Sequence, residues 1–141
     1  MDKHHHHNLL HVMTPFPQCV AFGASLDEAS ALMEEHGIHH LPVREDDGDV
    51  VGMLTEQDVA TARMAARERG DQLTVGDVCR REVYVVEITR SLAATIRDMA
   101  QRRADYALVK RDDHLAGIVT TTDLCLLLAD ILDPQIDDII A

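Results

Sequence analysis

Leu26, Ala29, Leu32 and Met33 fall on one apolar stripe at helical spacing, behind a Ser25 whose partner Glu28 lies three residues on. That pattern predicts a helix opened by a capping box, and Gly37 is placed to end it. Before it, Cys19-Val20-Ala21-Phe22 is a short run of strand type. After it, residues 40–44 and 49–54 are β-type runs around an acidic, Gly-containing turn, which reads as a hairpin. Thr55 then opens a helix rich in Ala and Arg that should stop near Gly70. The same order follows again. Residues 83–86 read as a strand, and Leu92, Thr95, Ile96 and Met99 line a helix after Ser91. Residues 106–110 are expected to pair with 115–119, and Thr120 opens a last helix carrying Leu124, Leu127, Leu128, Ile131 and Leu132.

The repetition extends to individual residues. Val51-Gly52-Met53-Leu54-Thr55-Glu56-Gln57-Asp58-Val59 is echoed by Ala116-Gly117-Ile118-Val119-Thr120-Thr121-Thr122-Asp123-Leu124, with Gly, Thr and Asp all offset by 65 residues. Upstream the offset becomes 66, pairing Leu26 with Leu92, Met33 with Met99 and Val43 with Val109. The lost residue falls in the turn, where Asp46-Asp47-Gly48-Asp49 is answered by Asp112-Asp113-His114. Turns are where length changes are tolerated. The chain is therefore expected to be an α+β protein of two βαββα repeats, 12–70 and 75–133, with an N-terminal tail (1–11) and an apolar C-terminal tail (134–141). A lone unit of about 60 residues buries little surface, so the copies are expected to share a core. The tail, with Ile136, Ile139 and Ile140, either docks back or meets a partner.

Composition narrows the partners. The formal charge of −12 repels a polyphosphate backbone, and two Tyr, two Phe and no Trp leave few stacking platforms, so nucleic acid is not expected as a ligand. No apolar run approaches the roughly 20 residues of a spanning helix, so no membrane association is expected either. Cys19, Cys79 and Cys125 are odd in number and lack CxxC spacing, which suits a reducing, cytoplasmic setting with the thiols as packing residues.

The recurring residues carry chemistry. An Asp in the first turn of a helix presents two acceptor oxygens, matching the adjacent hydroxyls of a ribose. A Thr at the helix start can bond phosphate, where free backbone amides already favour an anion. Gly52 and Gly117 permit close approach of a backbone to a ligand. The same Thr-x-x-Asp is also a capping pattern, as Thr74-Val75-Gly76-Asp77 illustrates, so local sequence leaves both readings open.

Together the doubled Gly-x-x-Thr-x-x-Asp, the preceding Ile38-His39-His40-Leu41-Pro42-Val43 and the leading Val12-Met13-Thr14-Pro15-Phe16-Pro17 resemble the CBS domain, named for cystathionine β-synthase. The resemblance covers the chain from Val12 to about Leu132. It implies a pair of repeats packed as one pseudo-twofold module whose two clefts take adenosine-containing ligands: AMP, ADP, ATP or S-adenosylmethionine. It also implies regulation rather than catalysis, with no cofactor required, a homodimer, and a regulated protein still to be identified. By the resemblance, one cleft would use Thr120 and Asp123 with Thr14, Cys19, Ile38 and Ile118. The other would use Thr55 and Asp58 with Arg80, Val85, Ala104 and Met53. Where the family often has a basic residue, this chain has His39 in the first copy and Asp105 in the second. Arg80 and His39 therefore make the Thr55/Asp58 cleft the expected site for more phosphate charge. Asp105 lies where it can border both clefts, which weakens that asymmetry. His39 and His40 read equally as alternating strand residues, one packed and one solvated.

Other chemistry is poorly supported. His4 to His7 with His11 can bind a divalent metal, but adjacent histidines on a terminus lack fixed geometry, and a shortened purification tag accounts for them as well. Gly-x-Ser-x-Gly and the phosphate-binding Gly-x-x-x-x-Gly-Lys-Ser/Thr are both missing, so no catalytic residue is expected. The alternative to a sensor is a dimerisation or docking module whose clefts have lost their ligands.

Overall fold

The computed structural model describes residues 7–46, 48–69 and 72–133. The expected C-terminal tail, most of the histidine tract and Gly70 lie outside these residues. The chain divides into two units, residues 17–83 and residues 1–16 with 84–141.

The first unit holds β2 (Val20–Ala21), α2 (Leu26–His36), β3 (His40–Arg44), β4 (Val50–Thr55), α3 (Glu56–Arg69) and α4 (Val75–Val78). Its sheet runs β2-β3-β4, parallel then antiparallel. Ser25 Oγ accepts the Glu28 amide at 3.1 Å, and Gly37 adopts φ 61° to close α2. Leu26, Ala29 and Met33 of α2 are buried with Leu41, Val43, Leu54, Val59 and Val75.

The second unit repeats the plan with α1 (Leu9–Val12), β1 (Thr14–Pro15), β5 (Val85–Glu87), α5 (Leu92–Arg102), β6 (Tyr106–Arg111), β7 (His114–Thr120) and α6 (Thr121–Leu132). Its sheet order is β1-β7-β6-β5. Leu9, which the sequence leaves in the N-terminal tail, is fully buried here with Met13, Val86, Met99, Val109 and Val119. Thr95 stands where the other copy has Ala29, fully buried, and its hydroxyl donates to the Ser91 carbonyl at 2.9 Å. Tyr84 donates its hydroxyl to Asp98 at 2.7 Å, and that bond, with Arg102 and Arg90 nearby, holds the Asp98 carboxyl below the usual range.

Sequence copy and folded unit do not coincide. The segment leading the first copy pairs with the last strand of the second: Thr14 lies opposite Ile118 and Pro15 opposite Gly117. In the other unit the corresponding partner is Arg80, bridged to Met53 by two backbone hydrogen bonds of 2.9 Å. That bridge explains a proline in a central strand. Pro42 sits opposite Met53, whose N–H and C=O both turn to Arg80, so Pro42 occupies a position where no ladder bond is made. On its other side, β2 reaches only Val43 and Arg44.

Candidate ligand-binding sites

Each Gly-x-x-Thr-x-x-Asp segment spans the end of a strand and the first turn of a helix, so the strand register fixes where Thr and Asp stand. Thr55 closes β4 opposite His40, and Thr120 closes β7 opposite Tyr106. The following amide is taken by the carbonyl of the residue before the paired strand: Glu56 N–H donates to His39 O, and Thr121 N–H to Asp105 O, both at 3.0 Å. Sequence-distant His39 and Asp105 are thereby pinned beside the starts of α3 and α6.

The glycines have a role the sequence did not reveal. A Cβ on Gly52 would lie 2.8 Å from Cys79 Sγ and 2.9 Å from the Arg80 carbonyl oxygen. One on Gly117 would lie 2.4 Å from Met13 Sδ and 2.9 Å from the Thr14 carbonyl oxygen. The backbone that approaches each glycine is thus the chain's own leading segment. It sets Arg80 beside Asp58 in one unit and Thr14 beside the Thr120/Asp123 turn in the other.

At the Thr120/Asp123 end the capping box is complete. The Asp123 amide donates to Thr120 Oγ1 at 3.3 Å, while Asp123 Oδ2 accepts from Thr120 N at 2.8 Å and Oγ1 at 3.0 Å. Oδ1 accepts no hydrogen bond from any described residue. Both residues are half-buried, Ile118 is buried and Thr14 is exposed. At the Thr55/Asp58 end only half of the box forms, with the Asp58 amide donating to Thr55 Oγ1 at 3.1 Å. The Asp58 carboxylate turns instead to Arg80, whose Nε reaches Oδ2 at 3.2 Å and Nη2 reaches Oδ1 at 3.1 Å. The Asp58 side chain is 16% exposed and that of Arg80 72%. The leading segments differ here: Arg80, across from Met53, bonds the Asp58 carboxylate, whereas Thr14, across from Ile118, makes no hydrogen bond to Asp123.

Of the residues singled out in the sequence, Thr14, Ile118, Thr120 and Asp123 come together in the second unit, and Met53, Thr55, Asp58 and Arg80 in the first. Cys19 and Ile38, both half-buried, belong to the first unit; Val85, Ala104 and Asp105 belong to the second. Arg80 and His39, both expected to meet phosphate, are engaged by carboxylates. Arg80 is held by Asp58, and His39 Nδ1 is hydrogen-bonded to the Glu56 carboxylate. Glu56 escaped the sequence reading because its counterpart is the neutral Thr121; an acid at the first helical position beside His39 was the available signal. Burial pushes the Cys19 thiol up despite the opposing charge of Arg44, so it remains a neutral packing group whose Sγ lies 3.4 Å from the Pro17 carbonyl. Beside His39, a shallow cavity of about 470 Å³ is lined by Ile38, Glu56, Val59 and Arg63. Among the described residues no cluster of three His, Cys, Asp or Glu is placed to hold a metal ion, and no helix is long and apolar enough to cross a membrane.

Known proteins resemble this chain over most of its length. It is 30% identical over 113 residues to Hypoxic response protein 1 of Mycobacterium tuberculosis, covering 80% of this chain and 79% of that one. It is 32% identical over 114 residues to the CBS domain-containing protein YhcV of Bacillus subtilis, covering 81% and 80%. Among solved structures, Hypoxic Response Protein I with two coordinated zinc ions matches with a TM-score of 0.69 at 29% identity over 84% of this chain and 96% of that one. CBSX2 in complex with AMP matches at 0.72 and 23% identity over 88% and 97%. The CBS domain pair of MJ0100 with 5′-methylthioadenosine and S-adenosyl-L-methionine matches at 0.72 and 24% over 86% and 98%. The CBS domain family model matches twice, at residues 9–65 and 75–130. With two matched repeats, a mixed α+β fold and a Thr-x-x-Asp turn built against a leading segment in each unit, this chain belongs to the CBS domain family as a pair of CBS repeats.

Proposed function

We propose that this CBS pair is a regulatory module that binds an adenine nucleotide (AMP, ADP or ATP) or S-adenosylmethionine and conveys that occupancy to a partner protein, without catalysing a reaction. The observation that carries the reading is the Thr120/Asp123 turn. It offers a carboxylate oxygen not taken by the cap beside the positive end of a helix, while the Thr120 hydroxyl and the Thr121 and Asp123 amides are already bonded within the protein. A vicinal diol complements that oxygen, and an anionic group the helix end. The Thr55/Asp58 turn is proposed as a second place, with its two carboxylate oxygens held by Arg80. Two fold neighbours hold adenosine compounds; their low identity speaks for the fold, and the ligand reading rests on the turns themselves. His39, Asp105, Cys19, Ile38, Val85 and Ala104 are proposed to complete the ligand surroundings.

A ligand at 100 times its dissociation constant stabilises a protein by about 2.7 kcal/mol. Millimolar AMP, ADP, ATP or S-adenosylmethionine should therefore raise the melting temperature clearly. A panel that moves it nowhere defeats the sensor reading.

One observation favours a second reading. On α6, Leu124 and Leu127 pack on the core, while Leu126, Leu128, Ile131 and Leu132 stay exposed, Leu132 by 74%. An apolar helix face of this kind suits a symmetric homodimer or a docked partner. A cytoplasmic homodimer that also binds ligand satisfies both readings. A silent ligand panel with a dimer in sedimentation would leave the docking module standing.

A further inference from the structure

We propose that Arg80 makes the Thr55/Asp58 site selective for ligands that carry both a vicinal diol and a phosphate, by holding the diol's acceptor until a phosphate replaces it. The inference rests on the ligand-binding reading above and names what distinguishes its two sites. The guanidinium fork takes one bond to each oxygen of Asp58, at 3.1 and 3.2 Å. That edge of the carboxylate is where a ribose would place its two hydroxyls. A neutral diol must therefore displace a charged partner and offers Arg80 nothing in return. A ligand with phosphate gives the arginine another anion, so the exchange conserves charge pairing. Arg80 is well placed to switch. Its backbone is fixed by both hydrogen bonds to Met53, so the side chain swings from a fixed root. Its side chain is largely exposed, which makes the pair weak enough to be exchanged.

Asp123 faces a different situation. It keeps its own helix cap through Oδ2 and leaves Oδ1 available, with only the short Thr14 on the leading segment. A diol can bond there without breaking an ion pair. Adenosine should therefore prefer the Thr120/Asp123 turn, and each added phosphate should shift occupancy towards Thr55/Asp58. This differs from a simple cationic pocket, in which Arg80 would only ever help binding. Here Arg80 opposes adenosine and favours AMP at the same turn.

Amide-resolved NMR titration tests this, because Thr55 and Asp58 report one turn and Thr120 and Asp123 the other. The probes are adenosine, AMP and ATP on wild-type protein and on Arg80→Ala, which removes a largely exposed side chain; Arg80→Gln, which keeps length without charge, serves as a second variant. At the Thr55/Asp58 amides, Arg80→Ala should tighten adenosine about two- to fivefold, the factor by which an exposed ion pair opposes it. It should weaken AMP about tenfold, as a charge-assisted phosphate contact less the surrendered pair requires. The Thr120/Asp123 amides should titrate unchanged. Binding with an unaltered or weakened adenosine affinity in both variants overturns the exchange while leaving the ligand reading intact. Silence of both turns towards every probe overturns the ligand reading and the exchange with it.

Discussion

The turns at Thr55/Asp58 and Thr120/Asp123 share a sequence motif, a strand register and a backbone bond to the preceding segment, yet their carboxylates do opposite things. Asp123 folds back on its own helix and completes the cap. Asp58 leaves the cap half made and pairs with Arg80. The motif supplies a carboxylate at a fixed place, and the neighbouring leading segment decides what it bonds to. A helix-start aspartate is therefore a candidate acceptor only in the context of the side chain laid across from it.

The comparison is most sharply strained at the glycines that admit those leading segments. Gly117→Ala should have the largest effect, about 1–3 kcal/mol in urea unfolding, because its methyl meets the buried Met13 and the Thr14 backbone at 2.4 and 2.9 Å. Gly52→Ala should cost somewhat less, since Cys79 is only half-buried and can yield. If neither substitution moves the urea midpoint, the packing account of both turns fails.

Next come the aspartates. Asp123→Ala removes two hydrogen bonds from the Thr120 cap and should lower stability by about 1 kcal/mol. Asp58→Ala retains its cap, because the bond to Thr55 Oγ1 comes from the backbone, and loses only a pair whose arginine is largely exposed, worth about 0.2–1 kcal/mol. Thermal melts of the two variants should rank Asp123→Ala as the more damaging. The reverse order would mean that the Arg80–Asp58 pair contributes more to the fold than the exposure of Arg80 allows.

The smallest effect sharpens the likeness of the copies rather than their difference. Gly37 ends α2 in the left-handed region, and at the equivalent end of α5 Arg103 adopts φ 54°. A side chain is disfavoured in that conformation, so Arg103→Gly should stabilise the protein by about 0.5–1 kcal/mol in denaturant titration. A destabilised Arg103→Gly would show that the arginine side chain makes contacts that outweigh its backbone cost.

The elements were legible in the sequence because their signals are local. Ser25 and Ser91 bond the amides three residues on, Gly37 takes up its positive φ, and the hairpins form between the apolar runs. The site was half legible. The doubled motif locates Thr55, Asp58, Thr120 and Asp123 at matching strand-to-helix junctions, and the leading segments already differ in sequence, with Arg80 where the other copy has Thr14. The sequence assigns Arg80 to phosphate; its bond to Asp58 is an addition that the tertiary structure alone supplies. The helical turn at Leu9 and the burial of that residue also went unread, since a short apolar pair behind a polar tail carries no periodicity.

By itself the sequence determined that one supersecondary unit is used twice, with caps, strands and helices in a known order. Those features depend on residues within a turn or two of each other. The resemblance already groups Arg80 with Asp58 and Thr14 with Asp123; only the tertiary structure decided the strand pairing that brings each leading segment there, and that Arg80 bonds its aspartate while Thr14 does not. Arg80 and Asp58 lie 22 residues apart, and Thr14 and Ile118 are joined from opposite ends of the chain. Pairings at such distances follow from which edge strand is left with unpaired backbone groups, a property of the folded sheet that no local pattern encodes.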